Sequence, residues 1–555
     1  MSNHSATFIH YNMGQLILPM DYSELIPEDH VVRVIHDMVE QVSDELFFSR
    51  YQGGGRSSYH PKMMTKVILY AYTQKIYSCR DIAKSLREHL PMMWLSGQQT
   101  PDFRTINRFR SERMKDMIEP LFTELIQLLL KQNYISMENY FLDGTKIEAN
   151  ANKYSFVWKK ATDNYEEKLQ EKIKLTFQQI EKAIELDEQL LMDSEKPVKK
   201  ITSIQLAEVV KQVEKQVEKA ETELEQEQDK EAKKEKKKVY QEKRKIYKKM
   251  KEDYLPRLQK YESHQETFGD RNSFSKTDQD ATFMRMKEDH MKNGQLKAGY
   301  NVQVGTENQF ILGYSLHQRP TDTRCFIPHL EKLKASTLPF PTRIIADAGY
   351  GSETNYLYAE DKEFSVLIPP PMMRREASSS YKKDIRNVSN WEYKEHDDYY
   401  ICPNNQKVTF KNYSQRTDSY GHTRDFKIYE CEDCSGCPFK EKCTKAKGNR
   451  QIHYNPVYEE LKAKAKQSLW SDEGSQIYAK RKTEVESVFG HIKGNRSFRR
   501  FSLRGLAKVT IEFGLVAIAH NFLKQAEQNR LFEEENLKNS KTHGENLFSP
   551  WVLVI

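Results

Sequence analysis

The sequence lacks several features that mark particular classes of protein. None of its apolar runs reaches the roughly 18 residues that cross a membrane, and no basic segment followed by an apolar one opens the N-terminus. This pattern argues against a membrane-spanning helix and against a secretory signal. Cysteine is sparse, with seven residues in 555, so a disulfide framework is not expected. We therefore predict a cytoplasmic protein that makes no membrane contact.

Glycine is absent over a long central stretch between Gly144 and Gly269. From about residue 160, Glu, Lys and Gln dominate that stretch, which accounts for a charged share of 30% against an apolar share of 38%. The apolar positions alternate steps of four and three residues, as in a coiled-coil seam: Leu206, Val210, Val213, Val217, Ala220 and Leu224. Pro197 should separate two helices. We predict a charged helical insertion over residues 159–265, folded as an antiparallel hairpin.

The N-terminal region, residues 1–135, is predicted to be mainly helical after a short extended segment at residues 7–18. Its helices should start at His60-Pro61, at Ser78 and at Asp102. The order of helix, short helix, turn and helix is compatible with a helix-turn-helix. A plain helical bundle with a solvated basic face is the alternative.

The third helix of this region combines an apolar stripe with a basic, polar remainder. The stripe consists of Ile106, Phe109 and Met114. The polar positions, which could meet phosphates and base edges, are Arg104, Asn107, Arg108, Arg110 and Arg113. The net charge of +7 permits nucleic-acid binding without requiring it, so the placement of these residues matters more than their sum.

The remainder of the chain predicts an α/β fold around a mixed sheet. Five segments read as strands: residues 140–142, 299–304, 309–316, 343–346 and 364–368. Gly305 to Asn308 should form a hairpin turn, and helices are expected at about residues 324–335 and from Ser352. With the first three strands antiparallel and the others parallel, the succession matches a ribonuclease-H-like sheet flanked by helices.

Three acidic residues lie where such a fold would hold metal ions. Asp143 and Asp347 each follow a strand-forming run, whereas Glu486 lies on a helix whose apolar face includes Val485 and Val488. Carboxylates favour Mg²⁺, or Mn²⁺ in its place, and two such ions can clamp the attacking and leaving oxygens of a phosphodiester. Glu484 is a rival for the third position. The pattern therefore predicts a phosphoryl-transfer site with two divalent ions.

A second cluster contains most of the cysteines. Cys431, Cys434, Cys437 and Cys443 follow one another at spacings of two, two and five residues, with Cys402 upstream. Four thiolates can close a tetrahedral zinc site. Free thiols and an iron–sulfur cluster are the alternatives, and which four of the five cysteines would bind remains open.

A third cluster is a basic run after Glu486, interleaved with Phe498 and Phe501. Its members are Lys493, Arg496, Arg499, Arg500, Arg504 and Lys508. Arginine forks match phosphate oxygens, so we expect these side chains to contact DNA. The phenylalanines either stack on an unpaired base or pack in the core.

Several blocks of the chain resemble a known family, the bacterial insertion-sequence transposases of the DDE type. The blocks are DGTKIEANANKYSFVWKK, ATFMRMKEDHMKNGQLKAGYNVQ, ADAGYGSETNY and VESVFGHIKGNRSFRRFSLRG, with YHPKMMTKVILYAYTQKIYSCRDIA and PDFRTINRFR nearer the N-terminus. The resemblance runs from about residue 8 to residue 526. It implies that Asp143, Asp347 and Glu486 form the catalytic triad, and it assigns Tyr350 and Lys493 to family motifs beside DNA.

One departure from the family pattern concerns the glutamate helix. Related transposases place Tyr seven and Arg four residues before the glutamate, whereas here those positions hold Ala479 and Lys482. Tyr478 and Arg481 are each displaced by one residue. Because one residue turns an α-helical side chain by about 100°, either Arg481 or Lys482 could meet the phosphate.

The resemblance also implies an organisation and a reaction. The predicted parts are a DNA-binding domain at 1–135, a catalytic core at 136–158, 296–370 and 476–526, the helical insertion at 159–265, a Cys-rich insertion at 371–475 and a tail at 527–555. The implied enzyme binds terminal inverted repeats and target DNA as a homodimer, cleaves and joins strands, and associates with the nucleoid. The alternatives are a nuclease of the same fold without joining activity and an inactive DNA-binding derivative.

Overall fold

The computed structural model describes residues 21–48, 58–183, 200–286 and 294–545. The extended segment predicted at residues 7–18 and the helix break predicted at Pro197 lie outside the described residues.

The N-terminal region is helical, as predicted. Its helices are α1 (Val31–Glu40), α2 (Asp44–Phe48), α3 (Pro61–Thr73), α4 (Cys79–Glu88), α5 (Leu90–Ser96), α6 (Phe103–Ser111) and α7 (Ile118–Lys131). The Ser78 hydroxyl accepts the Asp81 amide at the start of α4, and the Asp102 carboxylate accepts the Thr105 amide at the start of α6. These caps satisfy amides that lack a partner in the first helical turn. Helix α5 occupies the stretch where the sequence predicts a turn.

The central sheet contains six strands in the order β4-β5-β1-β7-β8, with β6 paired to β5. The strands, with the short β2 and β3 in chain order, are β1 (Asn139–Glu148), β2 (Phe156–Trp158), β3 (Ser273–Ser275), β4 (Thr282–Arg285), β5 (Leu296–Glu307), β6 (Phe310–His317), β7 (Arg343–Ala346) and β8 (Ser365–Leu367). Strands β1, β5 and β6 pair antiparallel, whereas β7 and β8 continue the sheet in parallel. The predicted succession of strands is therefore observed, with β4 as an additional edge strand.

The turn between β5 and β6 differs from the prediction. Asn308 and Gln309 form it, both with positive φ, whereas Gly305 lies within β5. A Cβ at Gly305 would lie 1.7 Å from the Tyr140 ring, so this glycine makes room for a buried aromatic side chain on the neighbouring strand. The prediction mistook a packing glycine for a turn glycine.

The charged insertion folds as a compact helical arm. It contains α8 (Lys159–Ala183), α9 (Ser203–Gln226), α10 (Lys230–Lys249), a π-helical turn (Met250–Tyr254) and α11 (Leu255–Phe268). The predicted seam on α9 packs within the arm, against Leu169 and Ile173 of α8 and against Tyr254 and Leu258. The arm is thus a bundle of α8, α9 and the continuous α10–α11 helix.

The Cys-rich insertion contains a second sheet, which the sequence did not predict. After helices α12 (Phe326–Lys334), α13 (Glu353–Asp361), α14 (Met373–Glu376) and α15 (Ser379–Lys382) come strands β9 (Glu392–Lys394), β10 (Tyr399–Ile401), β11 (Lys407–Thr417), β12 (Thr423–Cys431) and β13 (Gln451–Tyr454), with α16 (Lys440–Cys443) before β13. All the pairings in this five-stranded sheet are antiparallel.

The last helices return the chain to the central sheet. They are α17 (Pro456–Trp470), α18 (Asp472–Arg481), a π-helical turn (Lys482–Glu486), α19 (Ser487–Gly490), a second π-helical turn (His491–Asn495) and α20 (Leu506–Glu545). Helix α20 packs against β6 on one side and α1 and α3 on the other, and it passes through the boundary predicted at residue 526. Its segment Leu506–Asn536 is long and apolar enough to cross a membrane, but 72% of its most apolar window is buried inside the protein, as in a core helix.

Candidate functional site around Asp143, Asp347 and Glu486

Two of the three acidic residues lie side by side on the central sheet. Strands β1 and β7 pair in parallel, with Leu142 opposite Ala346, so Asp143 and Asp347 occupy the next position of each strand. Strand β7 ends there, whereas β1 continues to Glu148 along β5. Asp143 therefore lies within its strand rather than at its end, which corrects the prediction, and both carboxylates lie where the parallel pairing stops.

The third acidic residue reaches the same place through Arg481. The Arg481 guanidinium lies 3.7 Å from an Asp143 oxygen and 3.6 Å from a Glu486 oxygen. The side chain of Asp143 is 8% exposed and that of Glu486 is 53% exposed. One cation thus links a buried carboxylate on the sheet to an open carboxylate on the helix.

The π-helical turn over Lys482–Glu486 accounts for the displaced arginine. A π-helical turn holds one residue more than an α-helical turn, so the five-residue separation of Arg481 and Glu486 brings them together as a four-residue separation would on an α-helix. The π-helical turn thus accommodates the extra residue that displaces Tyr478 and Arg481 by one position in the sequence. Arg481, not Lys482, therefore faces the acidic residues.

Two tyrosines connect Asp347 to the same group. Burial raises the pKa of Tyr350 well above its usual value, and the negative charges of Asp322, Asp143 and Asp347 add to the rise. Burial also raises the pKa of Tyr478, where a hydrogen bond and the charge of Arg481 oppose the rise and Asp347 adds to it. Asp347 therefore lies near two tyrosines, of which Tyr350 is also near Asp143 and Tyr478 is also near Arg481.

The structure adds a polar layer that sequence reasoning missed. The amides of Asn301 and Gln303 donate to one Asp322 oxygen at 2.7 and 2.9 Å, and Gln303 accepts from the Tyr350 hydroxyl. A Cβ at Gly144 would lie 2.4 Å from the same Asp322 oxygen, so this layer lies directly against the backbone beside Asp143. The signal was present in β5, because Asn301 and Gln303 alternate with apolar residues in the part of the strand that is buried, from Ala298 onwards.

Glu484 does not share this environment. It accepts a hydrogen bond from the Gln309 amide at 2.8 Å, in the turn between β5 and β6. Burial raises its pKa, and this hydrogen bond opposes the rise. Glu484 therefore supports the turn, whereas Glu486 faces Arg481.

The basic run after Glu486 combines exposed and buried side chains. Arg499 and Arg500 are both exposed, and each also donates to backbone carbonyls: Arg499 to Lys493 at 3.0 Å, and Arg500 to Ala149 and Ala151 at 3.2 and 3.1 Å. Lys493 itself is buried, with 8% of its surface exposed. Both arginines are thus accessible to DNA, whereas little of the Lys493 side chain is.

Three aromatic side chains for which the sequence suggested a contact with DNA are buried. Tyr350, predicted to contact DNA, has 0% of its surface exposed, since it packs under the site with its hydroxyl on Gln303. Phe498 and Phe501 are each 2% exposed. All three belong to the core, and the stacking interpretation of the phenylalanines is not supported.

On the N-terminal helices, α6 presents a basic surface beside α4. Arg104, Asn107 and Arg108 are exposed and line an open cleft together with Arg80 and Phe103. Arg110, by contrast, is buried and donates to the Tyr72 hydroxyl at 3.1 Å and the Tyr77 carbonyl at 2.8 Å. The prediction that Arg110 faces DNA was wrong, because a local sequence pattern does not reveal the buried polar partners of an arginine.

The candidate metal residues form two separate groups. Asp143 and Glu486 lie within 4 Å of Arg481, and Asp347 follows the strand paired with that of Asp143. Five cysteines line one pocket of the second sheet: Cys402, Cys431, Cys434, Cys437 and Cys443. In the described part of the chain, no three His, Cys, Asp or Glu side chains are already arranged as a finished metal site. Binding at either group would require the side chains to close around the ion.

Two protein-family models match parts of the chain. The model described as Transposase DDE domain matches residues 401–526, and the model described as Transposase domain (DUF772) matches residues 20–112. The first match contains Arg481 and Glu486, and the second contains α4 and α6. No curated protein and no solved structure matches the chain. Together, the two family matches indicate an insertion-sequence transposase of the DDE type.

Proposed function

We propose that this transposase binds the terminal inverted repeats of its element and catalyses metal-dependent DNA cleavage and strand transfer at Asp143, Asp347 and Glu486. The strand order β6-β5-β1-β7-β8, with its change from antiparallel to parallel pairing at β1, supports a ribonuclease-H-like catalytic core. The observation that carries the proposal is that Arg481 links Asp143 on the sheet to Glu486 on the helix, while Asp347 follows the strand paired with that of Asp143.

The donor atoms at this site suit hard divalent cations. Transposases of the DDE type generally use divalent metal ions, and all three candidate ligands here are carboxylates, which suit Mg²⁺ or Mn²⁺ better than zinc. Asp143, Asp347 and Glu486 would hold these ions. When bound, such ions stabilise the charge on the attacking and leaving oxygens of a phosphodiester.

The residues around the carboxylates have roles of their own. Arg481 neutralises part of the acidic charge and, once the carboxylates are occupied, its fork can turn to a phosphate oxygen. The hydrogen bonds from Asn301 and Gln303 fix Asp322, and the Gln303–Tyr350 bond fixes the floor under Asp143 and Asp347. These contacts hold the carboxylates in place before substrate arrives, which lowers the cost of reaching the reactive geometry.

DNA would contact the protein on at least two surfaces. The α4–α6 surface with Arg104, Asn107 and Arg108 supports recognition of the repeat through a helix-turn-helix, and Arg499 beside Lys493 supports a phosphate contact near the chemistry. Two ends of one element must be held together, so we propose a homodimer in the DNA complex. The coiled-coil seam is a poor candidate for its interface, because that seam is buried within the arm. We place the enzyme in the cytoplasm, on the nucleoid when it is bound to DNA.

The test is cleavage of DNA that carries the terminal sequences of the element, with and without Mg²⁺, with nicks mapped to the nucleotide. Asp143→Asn, Asp347→Asn and Glu486→Gln should each reduce cleavage by more than about a hundredfold, since loss of even an outer partner of a metal ligand can cost that much. Binding to end DNA, measured by fluorescence anisotropy, should change little.

Glu484→Gln is the matched control. It lies two residues from Glu486, but its carboxamide can still accept from Gln309, so cleavage should stay near the wild-type rate. Mg²⁺-dependent cleavage by all three acidic-site variants would refute the assignment. A joined target product separates a transposase from a nuclease of the same fold, and binding without any cleavage by the wild type would indicate an inactive derivative.

A further inference from the structure

The second sheet gathers five of the seven cysteines into one pocket, which we call the cysteine pocket. Cys402 follows β10, Cys431 ends β12, and Cys434, Cys437 and Cys443 lie between β12 and the end of α16. Trp391 and Arg450 also line it. All seven cysteines are free thiols, and the other two, Cys79 and Cys325, are buried elsewhere.

The second sheet has only a small hydrophobic core. Its buried cluster has eight side chains, of which three are cysteines: Trp391, Tyr400, Cys402, Val408, Tyr429, Cys431, Cys434 and Ile452. The segment between β12 and β13 is mostly polar and contributes little apolar surface. A segment of this kind is commonly held by a disulfide or a metal ion.

Two sulfur atoms in the pocket accept backbone hydrogen bonds. The Gln406 amide donates to Cys402 Sγ at 3.4 Å, and the Arg450 amide donates to Cys434 Sγ at 3.4 Å. The backbone thus holds both sulfur atoms in place as hydrogen-bond acceptors, which is also the role of the sulfur of a metal-bound cysteine towards the groups around it.

The five thiols differ in burial and in their contacts. Cys402, Cys431 and Cys434 are buried, whereas Cys437 and Cys443 are partly exposed. Cys431 is the most buried of the five, at 3%, and its thiol donates towards the Asp433 carbonyl at 3.8 Å. Its proton therefore has a partner within the protein, whereas the sulfurs of Cys402 and Cys434 are acceptors, and Cys437 and Cys443 complete a set of four.

We propose that the cysteine pocket binds one structural Zn²⁺ through Cys402, Cys434, Cys437 and Cys443, and that Cys431 is a packed thiol rather than a ligand. Four thiolates complete the tetrahedral coordination of a structural zinc site, with Zn–S distances of about 2.3 Å. The ion would join the turn after β10 to α16 and the end of β12. This proposal does not depend on the function proposed for the acidic site, because the two groups share no residue.

The test measures the metal content of the full-length protein, purified without a metal-binding tag, by inductively coupled plasma mass spectrometry. We expect one zinc per chain. Serine variants of Cys402, Cys434, Cys437 and Cys443 should each lose the zinc. Cys431→Ser, from the same pocket and within three residues of Cys434, should keep it and serves as the matched control.

A second measurement covers variants that fail to fold. In wild-type protein, zinc exchanged for Co²⁺ should give the visible spectrum of a tetrahedral all-sulfur site, and the Cys431→Ser protein should give the same spectrum. The proposal is overturned if the wild type contains no zinc, if it contains iron with sulfide, or if the cysteines are oxidised to disulfides. It is also overturned if Cys431→Ser loses zinc while one of the four proposed ligand variants retains it.

Discussion

Replacement of Glu307 with alanine should destabilise the central sheet strongly. Glu307 is 5% exposed at the end of β5. Its Oε2 accepts the amides of Ser136 and Met137 at 2.7 and 2.8 Å. Its Oε1 accepts the Ser136 hydroxyl at 2.8 Å and the amides of Glu138 and Asn139 at 3.2 and 3.3 Å. One carboxylate thus fixes the chain entering β1, the strand that carries Asp143.

The expected loss follows from what alanine leaves behind. The Met137 amide is buried, so its unpaired state costs about 1–3 kcal/mol. The other donors are partly exposed and can recover water, at a cost we take as about 2 kcal/mol together. Met137 also has a positive φ of 60°, which the carboxylate helps to hold. The total is about 4 kcal/mol.

Thermal unfolding of the full-length protein, followed by tryptophan fluorescence, measures this loss. At about 2–4 °C per kcal/mol for a unit of 150–250 residues, Glu307→Ala should melt roughly 10 °C below wild type. Glu307→Gln keeps one oxygen acceptor and should lose about half as much. Glu395→Ala, at an exposed position of the second sheet, is the control. A melting temperature of Glu307→Ala within about 2 °C of wild type would refute the reasoning.

Two further predictions concern packing and pH. Gly305→Ala places a Cβ 1.7 Å from the Tyr140 ring and should lower the free energy of unfolding in urea by about 1–3 kcal/mol or more. Gly490→Ala, whose Cβ would have nothing within 4 Å, should not lower it. Equal urea midpoints for the two variants would contradict this account. Burial lowers the pKa of both His317 and His520 to about 4, whereas the unfolded chain binds these protons near pH 6.5. The contribution of these histidines to stability should therefore be full above about pH 6.5 and decline as the pH falls towards 4. Melting temperatures measured between pH 7.5 and 5 will show this decline, and it should be shallower for a His520→Gln variant. The same pH dependence in the variant and the wild type would argue against a buried neutral His520.

Local signals in the sequence predicted much of the fold. Ser78 and Asp102 marked helix starts because a capping side chain acts within three residues of itself. The runs before Asp143 and Asp347 predicted strands, because short runs of apolar, β-forming residues favour that conformation. The order of elements then followed from their succession along the chain.

The remaining features depend on contacts between distant residues. Arg110, Tyr350 and Arg500 carry groups that suit DNA, yet each finds a partner far away in the chain, at Tyr72, Gln303 and Ala149. The π-helical turn between Arg481 and Glu486 has no local signature beyond the one-residue displacement itself. The second sheet was missed because its strands are short or exposed on both faces, so they lack a clear alternation of apolar and polar residues.

The way the helical arm joins the sheet has a consequence for how such chains can vary. The arm leaves after β2 and returns before β3, and Phe156 to Trp158 pair directly with Ser275 to Ser273. Because β2 and β3 hold the two ends of the arm together, the distance between these ends is the same whatever the length of the arm. The entropic cost of closing a longer arm rises only slowly. Insertions or deletions in the arm can thus alter its reach while the positions of the strands of the central sheet stay the same.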